Sequence, residues 1–257
     1  MTNTIHIVSS GKGNVGKSAF ASVLNYLAIE AGAEPRLIDA DDQKQTCCQL
    51  HGDKATLISV SDDPALESQP DTIWYLASTT EQDVIVDLAA QADVYINRWL
   101  LGRGVIETAK QSDIQIYKWW VCDLDPGSLA EIARLSTSEE FEGVKHILVK
   151  SFHRARPALW DSELERNDAL KAAIDKNLSV IDFPHLFGTL VNDLRQQGTT
   201  FGDVVADTKH EKIDMLNRST VMRWLESCRV EVEKMYTFRK IGTAKKTRTK
   251  QSEQAAA

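Results

Sequence analysis

Short runs of apolar residues alternate along this chain with longer stretches in which apolar positions recur every three or four residues. The runs Thr4 to Ser9, Arg36 to Asp39, Val84 to Asp87, Ile114 to Val121, His146 to Val149 and Ser179 to Asp182 are continuous rather than alternating, which predicts strands covered on both faces. Helical periodicity lies between them. It covers about Lys17 to Ala31, with Gly32 as a stop, then Ala92 to Lys110, then Leu129 to Ser136 behind the start signal Asp125-Pro126. Strand and helix in this rhythm predict the α/β class, with a mostly parallel central sheet covered by helices on both faces.

Asp62 to Asp71 is polar and holds Pro64 and Pro70, so it reads as a loop. Near the end, Val221, Trp224, Leu225, Cys228, Val232, Met235 and Tyr236 keep i, i+3, i+4 spacing and predict an amphipathic helix ending near Tyr236. The face opposite this stripe mixes Glu and Arg, which favours packing on the body over lying on a membrane. With no internal repeat and no Pro/Gly linker, one domain over residues 1–238 is expected.

Composition narrows the class. The 257 residues are 42% hydrophobic and 26% charged, which excludes disordered and fibrous classes for most of the length. The net charge is −7, yet residues 239–257 gather Arg239, Lys240, Lys245, Lys246, Arg248 and Lys250 against Glu253 alone. The body is therefore more acidic than the whole and a poor general surface for DNA. The tail reads as a disordered basic segment that either touches phosphates or stays solvated. Cys47, Cys48, Cys122 and Cys228 form no CxxC pair. They read as small buried hydrophobes, with a soft-metal or redox role for adjacent Cys47 and Cys48 as the alternative. Neither a signal peptide nor a membrane-spanning run is apparent, and a cytoplasmic address is expected.

The candidate chemistry begins at residue 11. Gly11-Lys12-Gly13-Asn14-Val15-Gly16-Lys17-Ser18 fits the phosphate-loop pattern GxxxxGK[ST], placed after a predicted strand and opening a predicted helix. Glycines let backbone N–H groups converge on phosphate oxygens, and a helix N-terminus adds partial positive charge. In this pattern Lys17 reaches the β/γ-phosphates and the Ser18 hydroxyl ligates Mg2+.

The second lysine, Lys12, is not needed to cradle phosphate. It makes the loop resemble the deviant Walker A class of ParA/MinD-type ATPases, whose pattern is KGGxGK[ST]. The resemblance implies a P-loop NTPase (SIMIBI/ParA-like) architecture with ATP and Mg2+ as cofactors, and a homodimer formed with ATP in which Lys12 reaches the partner's nucleotide. Gly11, Gly13, Asn14, Val15, Gly16 and Ala19 would complete the cradle. Asn14 stands where the family has glycine, and asparagine is the non-glycine residue that best tolerates the positive φ this position implies.

Ile38-Asp39-Ala40-Asp41-Asp42-Gln43 resembles the family's first switch segment, with Asp42 in place of proline. By that likeness Asp41 orients the attacking water and contacts the Mg2+ shell. Together with Lys12 and Lys17 it makes up the catalytic set. Asp83-Val84-Ile85-Val86-Asp87 has the Walker B form, so Asp87 would hold Mg2+ through water. The Leu88-Ala89-Ala90-Gln91 that follows lacks the family's proline. Lys150, Pro184 and His185 fall where the family contacts the base; the alternative is that Pro184 merely ends a strand and His185 is a surface residue.

Within the family the chain looks most like plasmid conjugal transfer and mobilisation ATPases of the TraL/MobD type, on GKGxVGKS, IDxD, DVIVD, a late helix start at Thr200-Phe201 and the terminal Arg/Trp-containing helix. That implies a slowly hydrolysing ATP switch acting in plasmid partition, stability or transfer. Its partners would be DNA, bound without sequence preference, or plasmid transfer or partition proteins. The alternative is a metabolic enzyme on the same scaffold, a kinase or an ATP-dependent ligase of the dethiobiotin synthetase kind, for which no second-substrate motif is visible.

Overall fold

A computed structural model of the chain describes residues 3–239; most of the basic segment, from residue 240 on, lies outside the described residues. Seven parallel strands form one sheet: β1 (Thr4–Ser9), β2 (Arg36–Ala40), β3 (Ala55–Leu57), β4 (Val84–Leu88), β5 (Gln115–Cys122), β6 (Val144–Ser151) and β7 (Ser179–Phe183). They lie in the order β3-β2-β4-β1-β5-β6-β7. All six predicted strands are present, each shifted or extended by at most two residues at an end. The seventh, β3, is three largely exposed residues at the sheet edge and carries no apolar run to announce it.

The helices are α1 (Lys17–Glu30), α2 (Thr46–His51), α3 (Asp71–Thr79), α4 (Asp93–Gly102), α5 (Val105–Gln111), α6 (Pro126–Thr137), α7 (Pro157–Arg166), α8 (Asp168–Lys176), α9 (Leu190–Gln196), α10 (Phe201–Ala206) and α11 (Met215–Glu233). The single helix expected from Ala92 to Lys110 is two. Its break falls at Arg103 and Gly104, where Gly104 takes φ 62, a left-handed conformation that a glycine adopts without steric cost. The expected loop is irregular from Asp62 to Pro70 apart from a short 3-10 turn at Pro64–Leu66, and Asp71 opens α3.

Two apolar layers sandwich the sheet. On one face Ile5, Ile7, Val86 and Trp120 meet α3 to α8 through residues such as Ile73, Ile96, Ile132 and Trp160. On the other, Val8, Ile85, Trp119 and Val149 meet α1, α2 and α9 to α11 through Phe20, Leu24, Val221 and Trp224. Adjacent Trp119 and Trp120 point to opposite layers, as strand alternation requires. Burying each such side chain contributes on the order of 1.5–3 kcal/mol. The stripe of α11 is buried in the second layer, so this helix packs on the body, as its charge pattern predicts. It starts earlier than its apolar spacing suggests because Asp214 accepts a hydrogen bond from Asn217 N and caps it.

In an open α/β sheet, ligands bind beyond the carboxyl ends of the strands where the strand order reverses. Here that point is the end of β1, between β4 and β5.

Candidate functional site at the carboxyl end of β1

The loop 10–16 turns sharply from β1 into α1. Val15 is buried and anchors it, and Ser10 Oγ donates to the Lys12 carbonyl at 2.6 Å. Asn14 sits at φ 60, the conformation its identity allows, so replacement of the family's glycine leaves the turn intact. Gly16 sits at φ 105 with a Phe183 ring carbon 3.3 Å from where a Cβ would be, so both backbone and space demand glycine. No side chain caps α1 and no acid lies in its first turn. Its leading N–H groups and the positive end of its dipole are left for an anion.

Lys17 and Ser18 open α1 at this point. Lys17 is 7% exposed. Burial pulls its pKa below the ordinary lysine value, while the charges of Asp87 and Asp41 oppose that shift. The loop therefore places a nearly dehydrated ammonium near two carboxylates, whose charges offset part of the cost of its burial.

Asp39 and Asp87 are register partners at the ends of β2 and β4, both with no exposed surface. Burial pushes the Asp87 carboxyl up to about 6, against the stabilising effects of the Ser18 hydroxyl, Lys17 and Cys47. Its Oδ1 has no hydrogen-bond partner. Asp41 is half-buried; its N–H donates to Asp39 Oδ1 at 3.1 Å and its own Oδ1 accepts from Lys44 N at 3.0 Å. Lys17, Ser18 and Asp41 line one cleft. These donors fit Mg2+: a hydroxyl and carboxylates, one with an orphaned buried oxygen, are hard oxygen ligands, and phosphates and waters complete such a shell. Among the described residues no group of three or more His, Cys, Asp or Glu forms a cage of its own.

The same cleft runs on to Pro184, His185 and Ala19, with Phe183 and Trp224 as apolar walls. The Pro184 carbonyl accepts from Trp224 Nε1 at 2.8 Å, which fixes this loop to α11. Exposed His185 stands beside His153, ring centroids 5.6 Å apart. Lys150 is not brought to the cleft: its ammonium lies 2.8 Å from Asp182, and the next residue, Ser151, is the one that faces in. A larger cavity of about 1040 Å³ runs down the outer face of α1. Of residues 11–19 it touches only Ser18 and Ala19, and neither Lys17 nor Asp41 lines it, so the chemistry lies in the smaller cleft.

Lys12 turns the other way. Its half-exposed ammonium lies 3.7 Å from Asp123 and 3.7 Å from Asp125, both in the turn after β5. Asp123 Oδ1 accepts from Asp125 N, and Asp125 Oδ1 caps α6 at Ser128 N, so the two acids are rigidly placed. The turn abuts the loop directly, since a Cβ on Gly11 would come within 3.1 Å of Ser128 Oγ. Sequence reasoning used Asp125 only as a helix start. The signal for more was the acid pair at the end of a predicted strand, but its contact with Lys12 depends on β5 lying next to β1.

No protein-family model matches the chain. Two TraL proteins of Escherichia coli do: one is 31% identical over 105 residues, 39% of this chain and 42% of its own length, the other 28% identical over 102 residues with the same shares. The chain resembles TraL over that stretch. It thus spans about two fifths of the TraL proteins it matches. Among solved structures, the MinD cell division protein of Aquifex aeolicus is 16% identical with TM-score 0.47, covering 93% of this chain and 100% of that one. The septum site-determining protein MinD of Pyrococcus horikoshii, complexed with Mg-ADP, is 15% identical with TM-score 0.42, covering 88% and 95%. Among the described residues no helix is long and apolar enough to cross a membrane.

Proposed function

We propose that the chain is an ATP-dependent switch that binds ATP with Mg2+, pairs with a second copy when ATP is bound, hydrolyses slowly, and serves plasmid conjugal transfer or partition. The observation that carries this reading is the division of labour between two lysines of one loop. Lys17 points inward toward Asp87 and Asp41, where its own triphosphate would lie. Lys12 points outward at the rim toward Asp123 and Asp125. A cation held at the rim on carboxylates can be handed to another subunit's phosphates without disturbing the inner one, and positive charge arriving there stabilises the transition state of phosphoryl transfer.

In the bound state, Gly11 to Ser18 would cradle the phosphates, Ser18 and Asp87 would hold Mg2+, and Asp41 would orient the attacking water after releasing Lys44 N. Mg2+ supplies charge neutralisation of the phosphates; the chain's own residues place and desolvate them. The likeness to TraL supports a role in conjugal transfer, and partners there would be transfer proteins or DNA. Light scattering with no nucleotide, with ADP and with a non-hydrolysable ATP analogue tests the reading. Association only with the ATP analogue is expected. A monomer under all three conditions that phosphorylates or ligates a small acceptor would overturn it in favour of a metabolic enzyme.

A further inference from the structure

The ends of β2 and β4 bring Asp39 and Asp87 side by side, and both carboxylates receive donors from the start of α2. Asp39 Oδ2 accepts from Cys48 N at 2.9 Å. Asp87 Oδ2 accepts from the Cys47 thiol at 3.4 Å. Cys47 has no exposed surface. A fully buried cysteine ordinarily packs as a small hydrophobe, and its S–H is a weak donor. Here it is turned onto a carboxylate whose other oxygen, Oδ1, is buried without a partner. Two consecutive residues thus bolt the 41–45 loop to two neighbouring strand ends, one by a thiol and one by a backbone N–H.

We infer that Cys47 is a positioning residue for the cation site: it holds Oδ2 of Asp87, leaves Oδ1 to the divalent cation that accompanies the nucleotide, and ties that acid to the loop bearing Asp41. This rests on the nucleotide and Mg2+ reading above. A carboxylate turns readily about its terminal torsion, which is broad and two-fold, so fixing one oxygen fixes where the other points. Groups that hold a metal's ligand from behind commonly change metal affinity 10–100-fold when removed. Cys47 itself is no ligand in this arrangement, because Mg2+ prefers oxygen and the sulfur lies on the Oδ2 side.

The test uses two pairs of closely matched shape, Cys47→Ala with Cys47→Ser and Cys47→Val with Cys47→Thr, in which only the second member keeps a donor. ADP binding is measured by calorimetry in EDTA and across a Mg2+ series, with thermal melting to report folding. Expected is unchanged ADP affinity in EDTA for all four, a Mg2+ midpoint raised about tenfold in Ala and Val, and recovery to within about threefold of the parent in Ser and Thr. Because either pair suffices, loss of folding in one leaves the other decisive. Equal midpoints within both pairs would overturn the inference and leave Cys47 a packing residue. Asp87→Asn is run alongside. An unchanged midpoint in that variant overturns the assignment of Asp87 to the cation, whereas a raised midpoint there with none in Cys47→Ala or Cys47→Val overturns the role of Cys47 alone.

Discussion

The ammonium of Lys12 and the carboxylate of Asp123 stand 3.7 Å apart, joining the phosphate loop after β1 to the turn after β5. For Lys12 to serve a second subunit this pair, and that with Asp125, must open. Lys12 is half-exposed although Asp123 is nearly buried, so each pair contributes on the order of 1 kcal/mol and the restraint is modest. Replacing both acids, Asp123→Asn with Asp125→Asn, is expected to lower the protein concentration needed for ATP-driven association by about two- to tenfold. Asn at 125 keeps the helix cap. Light scattering against concentration checks it; association that weakens instead would mean the acids serve the closed pair.

Lys17 and Asp41 separate binding from turnover. Lys17→Ala removes a nearly buried cation whose charge-assisted contacts to phosphate are each worth about 1.5–3 kcal/mol, so ATP affinity should fall about a hundredfold or more. Asp41→Ala should leave affinity within about threefold while hydrolysis drops at least tenfold. Calorimetry and phosphate release measure the two. Lys12→Ala should lower association and hydrolysis more than monomer affinity, and a pure loss of affinity would place Lys12 on its own nucleotide.

Stability should fall on the acid side of neutrality. Fully buried His6 has its pKa lowered to about 3 by burial, and its Nδ1 already accepts from Trp119 Nε1 at 3.1 Å, so protonation there would break a bond. His146, also buried, is lowered to about 3 by burial and by the Lys118 charge. Both are neutral in the fold and charge more readily unfolded. Their contribution is thus complete above pH 6.5 and is lost as pH falls toward 3. At pH 5 each costs about 2 kcal/mol relative to pH 8. Urea unfolding at pH 8, 6.5 and 5 reads this slope against the opposite contribution of Asp87, whose raised pKa favours the fold as pH falls, and His6→Asn should remove the His6 share, about 2 kcal/mol.

Lys118 has no exposed surface, and its ammonium lies 2.7 Å from Asp93 at the start of α4. Burial lowers its pKa, and Asp93 opposes that. Lys118→Met leaves Asp93 buried without its counter-ion and should cost about 3–5 kcal/mol. Adding Asp93→Leu should restore only part of it: an apolar pair avoids the desolvation of both ions, but buried Asn97, which bonds both, is left without those partners. Chemical denaturation of the single and double variants decides.

What could be read in advance follows from how far each interaction reaches along the chain. Strands β1, β2, β4, β5 and β6 were legible because burial on both faces writes itself as unbroken apolar runs, edge strand β7 because its short run ends at Pro184, and the phosphate loop because its eight positions are contiguous. Edge strand β3 was not, being short and exposed. The split between α4 and α5 was missed because apolar positions recur on both sides of Arg103 and Gly104, while Gly104 takes a left-handed conformation that ends the helix. At the site, Asp39 and Asp87 were each visible as strand-end acids, but their pairing, the thiol of Cys47 and the acids around Lys12 depend on strand order. Lys150 was misplaced by position alone: strand β6 carries it one residue short of the cleft, against Asp182.

The place of β1 in the sheet governs how the molecule comes into being. Thr4 to Ser9 hydrogen-bonds to strands that begin at Val84 and Gln115, with none contributed by its sequence neighbours β2 and β3. A ribosome adding about 5–20 residues per second leaves this apolar segment unmatched for on the order of ten seconds. A fully buried strand is therefore the longest exposed during synthesis. The polypeptide's hazard of sticking to other nascent chains is concentrated in the segment that leads directly into its phosphate loop.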